Sequence, residues 1–128
     1  MKIHSVIAVS ALAGAVVGAA AMQGLHAQAK PPAYVVAEID VTNQEAYMKE
    51  YAPVAGKAIQ DGGGKYLARG GKTTSFDGEA LKSRITVIAF ENIEKAQAVF
   101  SGNVYREARK TGEKYAKFRI YAIEGVAP

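Results

Sequence analysis

The 128-residue sequence predicts an α+β fold, a four-stranded antiparallel sheet with both helices on one face. Short segments rich in β-branched and aromatic residues predict strands, and longer segments with an apolar residue at every third or fourth position predict helices. These segments follow one another in the order β-α-β-β-α-β. That order is the ferredoxin-like arrangement.

The first strand and the first helix are predicted from residue 33 onwards. Ala33 to Val41 (AYVVAEIDV) alternates with a period of two, which is typical of a strand. Thr42 is the predicted N-cap of the helix, with Glu45 reaching back to it from the third helical position. Pro53 predicts a kink or restart within the helix, because proline lacks an N–H and clashes with the preceding turn. The apolar stripe of this helix comprises Tyr47, Tyr51, Val54, Ala58 and Ile59.

The remaining elements follow a glycine cluster, Gly62 to Gly64, which ends the first helix. Strands are predicted at Lys65 to Arg69 and at Arg84 to Glu91, with a turn between them at Phe76 to Glu79. Asn92 is the predicted cap of a second helix, whose stripe comprises Ile93, Ala96, Val99 and Phe100. A further helical piece and the last strand are predicted at Val104 to Lys110 and Lys117 to Glu124.

Residues 1–29 have the layout of a secretory signal peptide. Lys2 precedes an apolar region rich in Ala, Val and Gly, and small residues follow at Ala27 and Ala29. Cleavage after Ala29 fits better than cleavage after Ala27, and an uncleaved membrane anchor is the alternative. We therefore expect a signal peptide at 1–29, a single domain at 30–128, and a periplasmic or secreted protein that leaves the membrane after cleavage.

The composition excludes several classes of site. The chain has no Cys, which rules out disulfides, thiolate nucleophiles, iron–sulfur clusters and cysteine-bound zinc. Both histidines, His4 and His26, lie in the predicted signal peptide, so the mature chain offers no imidazole for a catalytic triad, a metal or haem. Its charge is 15 basic minus 12 acidic residues, or +3, without clusters. We expect no metal, no cofactor and no nucleic-acid partner.

The sheet face that the helices leave open predicts an interface. Apolar residues expected there are Val36, Ile88, Phe90 and Tyr121. Contiguous apolar area of this size usually marks a contact surface. The sequence therefore predicts a homodimer in which two sheets pack face to face, with a small-molecule site in the cavity between them.

Several segments together resemble one family. They are YVVAEIDVTNQEAYMKEY from Tyr34, GGGKYLARGG from Gly62, RITVIAFEN from Arg84, SGNVYREA from Ser101, and the strand that closes in IEGV. The mature chain resembles, over almost its whole length, the small dimeric α+β-barrel proteins of domain of unknown function 1330. This resemblance implies the dimeric barrel but supplies no reaction. The wider barrel superfamily includes cofactor-free monooxygenases, lactone isomerases and haem enzymes, which is an analogy of fold alone.

Two residues are the candidates for catalysis. Glu38 lies mid-strand, on the face away from the helices, where a carboxylate can act as a general base. Arg69 precedes two glycines, and its planar guanidinium suits carboxylates and phosphates. The alternative is structural: Glu38 as a rim carboxylate or ion-pair partner, and Arg69 in a salt bridge to Glu38 or to the partner subunit.

Aromatic and basic side chains are the candidates for ligand binding. We expect Tyr34, Tyr66, Tyr105 and Tyr121 to line the cavity between the sheets, with Arg84 and, more weakly, Arg119 nearby. Tyr47 and Tyr51 lie on the stripe of the first helix, where packing in the core is the simpler interpretation.

Three functions remain open from the sequence. The first is a binding module for a small, partly apolar or anionic molecule. The second is a cofactor-independent oxygenase or isomerase acting on a phenolic or lactone-like substrate, with Glu38 and Arg69 working together. The third is a purely structural dimer, which a cavity below about 300 Å³ would favour.

Overall fold

A computed structural model describes residues 30–127 of the chain. The predicted signal peptide lies outside the described residues. The four strands are β1 (Ala33–Val41), β2 (Lys65–Arg69), β3 (Arg84–Phe90) and β4 (Ala116–Glu124). They form one sheet in the order β2-β3-β1-β4, with every neighbouring pair antiparallel. This topology confirms the predicted ferredoxin-like fold.

The first crossover contains three helical segments without a break. They are α1 (Gln44–Ala46), a π-helical segment (Tyr47–Tyr51) and α2 (Ala52–Asp61). The second crossover contains α3 (Ile93–Phe100) and α4 (Asn103–Gly112). Within residues 30–127, no helix has the length and apolar character that crossing a membrane requires.

The predicted helix cap of the second crossover is confirmed, and that of the first crossover is shifted by one residue. Asn92 caps α3 as expected, since its side-chain oxygen accepts a hydrogen bond from Lys95 N at 3.0 Å. The predicted cap at Thr42 is wrong by one residue. Asn43 Oδ1 accepts from Ala46 N at 3.1 Å, whereas Thr42 N donates to the carbonyl of Tyr115 at 2.8 Å. That bond holds Thr42 at the end of the strand, outside the helix.

Pro53 explains why the first crossover is not one regular helix. Proline has no N–H, so the carbonyl of Lys49 cannot receive its α-helical hydrogen bond. The preceding turn widens instead, and the N–H of Ala52 donates to the carbonyl of Tyr47, five residues back. The predicted restart near Pro53 therefore takes the form of a π turn. It presents both Tyr47 and Tyr51 to the core, where they are buried.

The pairing register determines which side chains the helices cover. Val35 pairs with Ile88 and Ala33 with Phe90, and paired residues share a face of the sheet. Val35 and Ile88, at 1% and 2% exposure, are the largest fully buried side chains described. Ile88 and Phe90 therefore lie on the helix-covered face, and their predicted place on the open face is wrong. Strand β3 is apolar on both faces, so alternation alone did not orient it.

The opposite face of the sheet carries partly exposed apolar residues and one ion pair. Tyr34, Val36 and Glu38 of β1 lie there. Their neighbours on β3 are Ile85, Val87 and Ala89, and on β4 they are Arg119, Tyr121 and Ile123. No helix of the described chain covers this face. We call it the open face below.

A 14-residue connection, residues 70–83, joins β2 to β3, and every residue in it is exposed. Its far end is fixed to β1: Ser83 Oγ accepts from Val41 N at 3.1 Å and donates to the carbonyl of Ile39 at 3.2 Å. Lys82 Nζ lies 3.0 Å from Asp40 Oδ2. This hydrogen bond, together with one from the backbone of Ser83, lowers the pKa of Asp40. These contacts fix the starting point of β3, and hence the position of Arg84.

From the register we predict that two side-chain truncations lower the free energy of unfolding by different amounts. Ile88→Ala removes a buried side chain between sheet and helices and should lower the free energy of unfolding by about 2–5 kcal/mol in urea denaturation. Val54→Ala serves as the control, because Val54 of α2 is 48% exposed. The control should change the free energy by less than about 0.5 kcal/mol. Equal losses would contradict the assignment of Ile88 to the covered face.

Candidate functional site

A cavity of about 30 Å³ lies between the covered face of the sheet and the helices. Its volume suffices for one or two water molecules. Its polar lining comes from four tyrosines, two arginines and one threonine: Tyr47, Tyr51, Tyr66, Tyr105, Arg69, Arg84 and Thr86. The rest of the lining is apolar and includes Ala37, Ile39, Ala52, Ala55 and Ile88.

The two arginines contact aromatic rings. Arg69 Cζ lies 4.2 Å from the centroid of the Tyr66 ring, and Arg84 Cζ lies 5.7 Å from that of Tyr47. Such contacts attract a cation to the negative face of the ring. Among the ion pairs formed within residues 30–127, none involves Arg69 or Arg84. The cavity is therefore bordered by two positive charges that no carboxylate of the described chain neutralises.

The sequence places these arginines at the two ends of the exposed connection. Arg69 is the last residue of β2, and Arg84 is the first residue of β3. Gly70 allows the backbone to turn directly after Arg69, with a φ of 64° that favours glycine. A Cβ at Gly70 would also lie 2.9 Å from Arg84 Cζ. The absence of a side chain at Gly70 therefore leaves room for the guanidinium group of Arg84 next to the end of β2.

Two of the tyrosines form a buried hydroxyl pair. Tyr51 Oη and Tyr105 Oη are 2.9 Å apart, within hydrogen-bond distance. Burial raises the pKa of both hydroxyls, and for Tyr105 the hydrogen bond with Tyr51 and the nearby Arg109 oppose the rise. Both groups are therefore neutral at physiological pH. Because one bond uses only one of the two hydroxyl protons, the pair retains a second donor.

The other two tyrosines are also protonated at physiological pH. Burial raises the pKa of Tyr47, against the opposing charge of Arg84. Burial raises the pKa of Tyr66 as well, and here Arg69 and Arg84 both oppose the rise. The charges of Arg69 and Arg84 thus act on the hydroxyl groups of the tyrosines that line the cavity. An anion entering the cavity would meet the same charges.

The lining offers donors and positive charge but no ordinary general base. It contains no Asp, Glu or His. A tyrosine with a raised pKa is a poor proton acceptor at neutral pH, and arginine does not give up its proton. Within residues 30–127, no three side chains of His, Cys, Asp or Glu come together as a metal site. The arrangement is suited to holding an anion in place.

The structure divides the predicted site residues between the two faces of the sheet. Arg69, Arg84, Tyr66 and Tyr105 line the cavity together. The other predicted residues, Glu38, Tyr34 and Tyr121, belong to the open face. The cavity of the single chain lies on the helix side of the sheet, and the predicted cavity between the sheets of two subunits stays a prediction.

The predicted pairing of Glu38 with Arg69 is wrong for a geometric reason. Arg69 pairs with Thr86, which pairs with Ala37, so Arg69 lies on the covered face. Glu38 follows Ala37 and points the opposite way. Its nearest cation is Arg119, whose Nη1 lies 3.9 Å from Glu38 Oε1. A hydrogen bond to Glu38 also raises the pKa of Tyr121.

The sequence analysis missed three of the polar lining residues: Tyr47, Tyr51 and Thr86. The two tyrosines were taken as core residues, and they are indeed buried in the core as well as lining the cavity. A buried tyrosine hydroxyl needs a hydrogen-bond partner, so two of them on one apolar stripe indicate a polar patch inside the protein. Thr86 carried no comparable signal, because threonine is common in strands.

The fold and the cavity define a small ferredoxin-like α+β protein with a pocket lined by arginine and tyrosine. The family model described as "Domain of unknown function (DUF1330)" matches residues 32–126. The chain belongs to this family. None of the curated proteins compared with the chain matches it.

Solved structures share the fold at low sequence identity. The RPA0582 protein of unknown function from Rhodopseudomonas palustris is 18% identical, with a TM-score of 0.59 over 77% of this chain and 85% of that one. SnoaB, a cofactor-independent oxygenase from Streptomyces nogalater, is 6% identical, with a TM-score of 0.55 over 77% of this chain and 96% of that one. At these identities the likeness concerns the fold alone.

The hydroxyl pair predicts a non-additive double-mutant cycle. Tyr51→Phe and Tyr105→Phe should each lower the free energy of unfolding by about 1 kcal/mol, since each leaves the other buried hydroxyl short of a partner. The double variant should lose less than the sum, because the shared bond is lost only once. Urea denaturation of the four proteins measures this, with Tyr34→Phe on the open face as the control. Strict additivity would contradict the pair.

Proposed function

We propose that this protein binds a small carboxylate with an apolar part in the cavity between its sheet and helices. The observation that carries the proposal is the presence there of Arg69 and Arg84 without a carboxylate partner in the described chain. A guanidinium group matches a carboxylate with two parallel hydrogen bonds. The tyrosine rings and alanines around the arginines supply an apolar surface for the rest of the ligand.

The small volume of the cavity sets a condition on this proposal. Ligand sites usually measure about 300–1,000 Å³, and the cavity of about 30 Å³ taken alone agrees better with a purely structural role. A ligand larger than water enters only if side chains move at the end of the sheet that carries Arg69 and Arg84. Arg69 is exposed and Tyr66 is half-buried, so these two have the room to move.

The alternative is a cofactor-independent oxygenase or isomerase acting on a phenolic or lactone-like substrate. The fold shared with SnoaB is compatible with it. Deprotonating such a substrate needs a base near the cavity, and Glu38, the carboxylate first suggested for that role, lies on the opposite face. We therefore favour binding over catalysis.

We further propose that the protein is an exported homodimer whose open faces pack together. On that face Tyr121 and Ile123 are 43% and 60% exposed. They lie beside Val36, Val87 and other apolar residues of the central strands, and contiguous apolar area of this kind favours contact with a second sheet. The pattern of residues 1–29 supports export.

Charge removal at the cavity tests the binding proposal. Calorimetric titration with benzoate should give a dissociation constant at least tenfold higher for Arg69→Gln and for Arg84→Gln than for the unaltered protein. A tenfold increase corresponds to a loss of about 1.4 kcal/mol of binding free energy. The uncharged analogue benzamide should bind weakly to all three. Arg119→Gln, on the open face, is the matched control and should bind benzoate normally. Binding that is absent throughout would favour the structural alternative. Binding that neither cavity arginine affects would refute the proposed site.

Native mass spectrometry of protein recovered from the producing cells tests export and assembly together. We expect a chain that begins at Lys30 and a mass of two such chains, with any retained ligand adding to it. Ile123→Asp should shift the population to monomers, because a charge would then be buried between the sheets. A monomer in the unaltered protein would refute the dimer. A full-length chain would refute cleavage.

A further inference from the structure

Gly56 occupies an unusual place in α2 (Ala52–Asp61). It lies in the middle of the helix and is buried, next to the cavity. Glycine is a poorer helix former than alanine, so a glycine at such a position calls for a physical reason. Its φ lies outside the left-handed range, and backbone conformation is therefore not that reason.

Space for Arg69 supplies the reason. A Cβ on Gly56 would lie 3.1 Å from Arg69 Nη2 and 3.9 Å from Arg69 Cζ. It would also lie 3.7 Å from Tyr66 Oη. The guanidinium group of Arg69 thus lies closer to position 56 than ordinary van der Waals contact with a Cβ allows. On its other side, Arg69 Cζ lies 4.2 Å from the centroid of the Tyr66 ring.

The tightly packed Gly64 differs from Gly56 in what surrounds it. A Cβ on Gly64 would lie 2.9 Å from the carbonyl oxygen of Ile59 and 2.9 Å from Phe90 Cζ. These neighbours belong to the backbone and the core, and they cannot yield cheaply. The neighbour of Gly56 is the far end of a long, exposed side chain, which can yield. An alanine at position 56 is therefore compatible with the fold but displaces the guanidinium group of Arg69 by a few tenths of an ångström.

We propose that Gly56 is a positioning residue of the anion site, kept free of a side chain so that the guanidinium group of Arg69 can lie against α2 at the cavity. This inference rests on the proposed binding of a carboxylate. It adds the determinant of affinity: the helix gives up stability at position 56 so that the arginine can reach the ligand. Replacing Gly56 with alanine should then raise the stability of the fold and lower the affinity for the carboxylate.

Gly56→Ala tests this trade-off in the full-length protein and its mature form. We expect the midpoint of thermal unfolding to rise by about 2–6 °C, because alanine favours the helix. The dissociation constant for benzoate should rise about threefold to tenfold, because the guanidinium group is displaced by tenths of an ångström or more. Gly71→Ala is the matched control: a Cβ there meets nothing within 4 Å, so it should leave benzoate affinity unchanged.

Two results would overturn the proposal. A lower unfolding midpoint in Gly56→Ala would show that the glycine is required for packing. A higher midpoint with unchanged benzoate affinity would show that the position of Arg69 does not depend on it. Gly56→Met extends the series, and it should reduce benzoate affinity as far as Arg69→Gln does.

A second readout separates this inference from the proposed function. The charge of Arg69 lowers the pKa of Tyr66, against the larger effect of burial. Displacing the guanidinium group in Gly56→Ala should therefore raise the pKa of Tyr66 further, as followed by NMR of ring-labelled tyrosine. If the unaltered protein binds no carboxylate while Tyr66 shifts in this way, the proposed function fails and the positioning of Arg69 by Gly56 stands. An unchanged Tyr66 titration would refute the positioning itself.

Discussion

The register in which β1 pairs with β3 and β4 is the constraint on which the rest of this structure depends. It places Val35 against Ile88 on the side that the helices cover. Because side chains alternate along a strand, a slip of one residue would exchange the two faces of β3 completely. Arg84 would then leave the cavity. The contacts of Ser83 with the end of β1 oppose such a slip at the point where β3 begins.

The sequence was sufficient for the fold but only in part for the site. The alternation in β1 and the apolar stripes of the helices predicted the elements and their order, because each pattern is local. Neither pattern reports how two strands align, so Ile88 was placed on the wrong face and Glu38 was paired with Arg69 across the sheet. The arginines and Tyr66 were identified by their chemistry alone. Tyr47 and Tyr51 were not, since a residue can pack in a core and line a cavity at once.

The cavity is bordered by two arginines, and its lining contains no carboxylate to neutralise them. Arg69 and Arg84 contact the faces of tyrosine rings. A tyrosine ring attracts a cation much more weakly than a carboxylate does. Salt bridges elsewhere in the described chain join lysines and arginines to acidic neighbours, as in the exposed pair Lys57–Asp61. Arg69 and Arg84 therefore differ from these basic residues in having no carboxylate partner within the described chain.

The π turn at Tyr47–Tyr51 has a consequence for how this protein tolerates change in length. An α-helix turns by about 100° per residue, so deleting one residue from a regular helix rotates everything before it away from its partners. Here the segment between the cap at Asn43 and the restart at Ala52 already holds one residue more than α-helical turns require. Losing that residue would restore the phase of a regular helix and leave α2 in place, while Pro53 would still leave one carbonyl of the preceding turn without its helical hydrogen bond. The first crossover should therefore tolerate a one-residue deletion that would turn a regular helix away from the sheet.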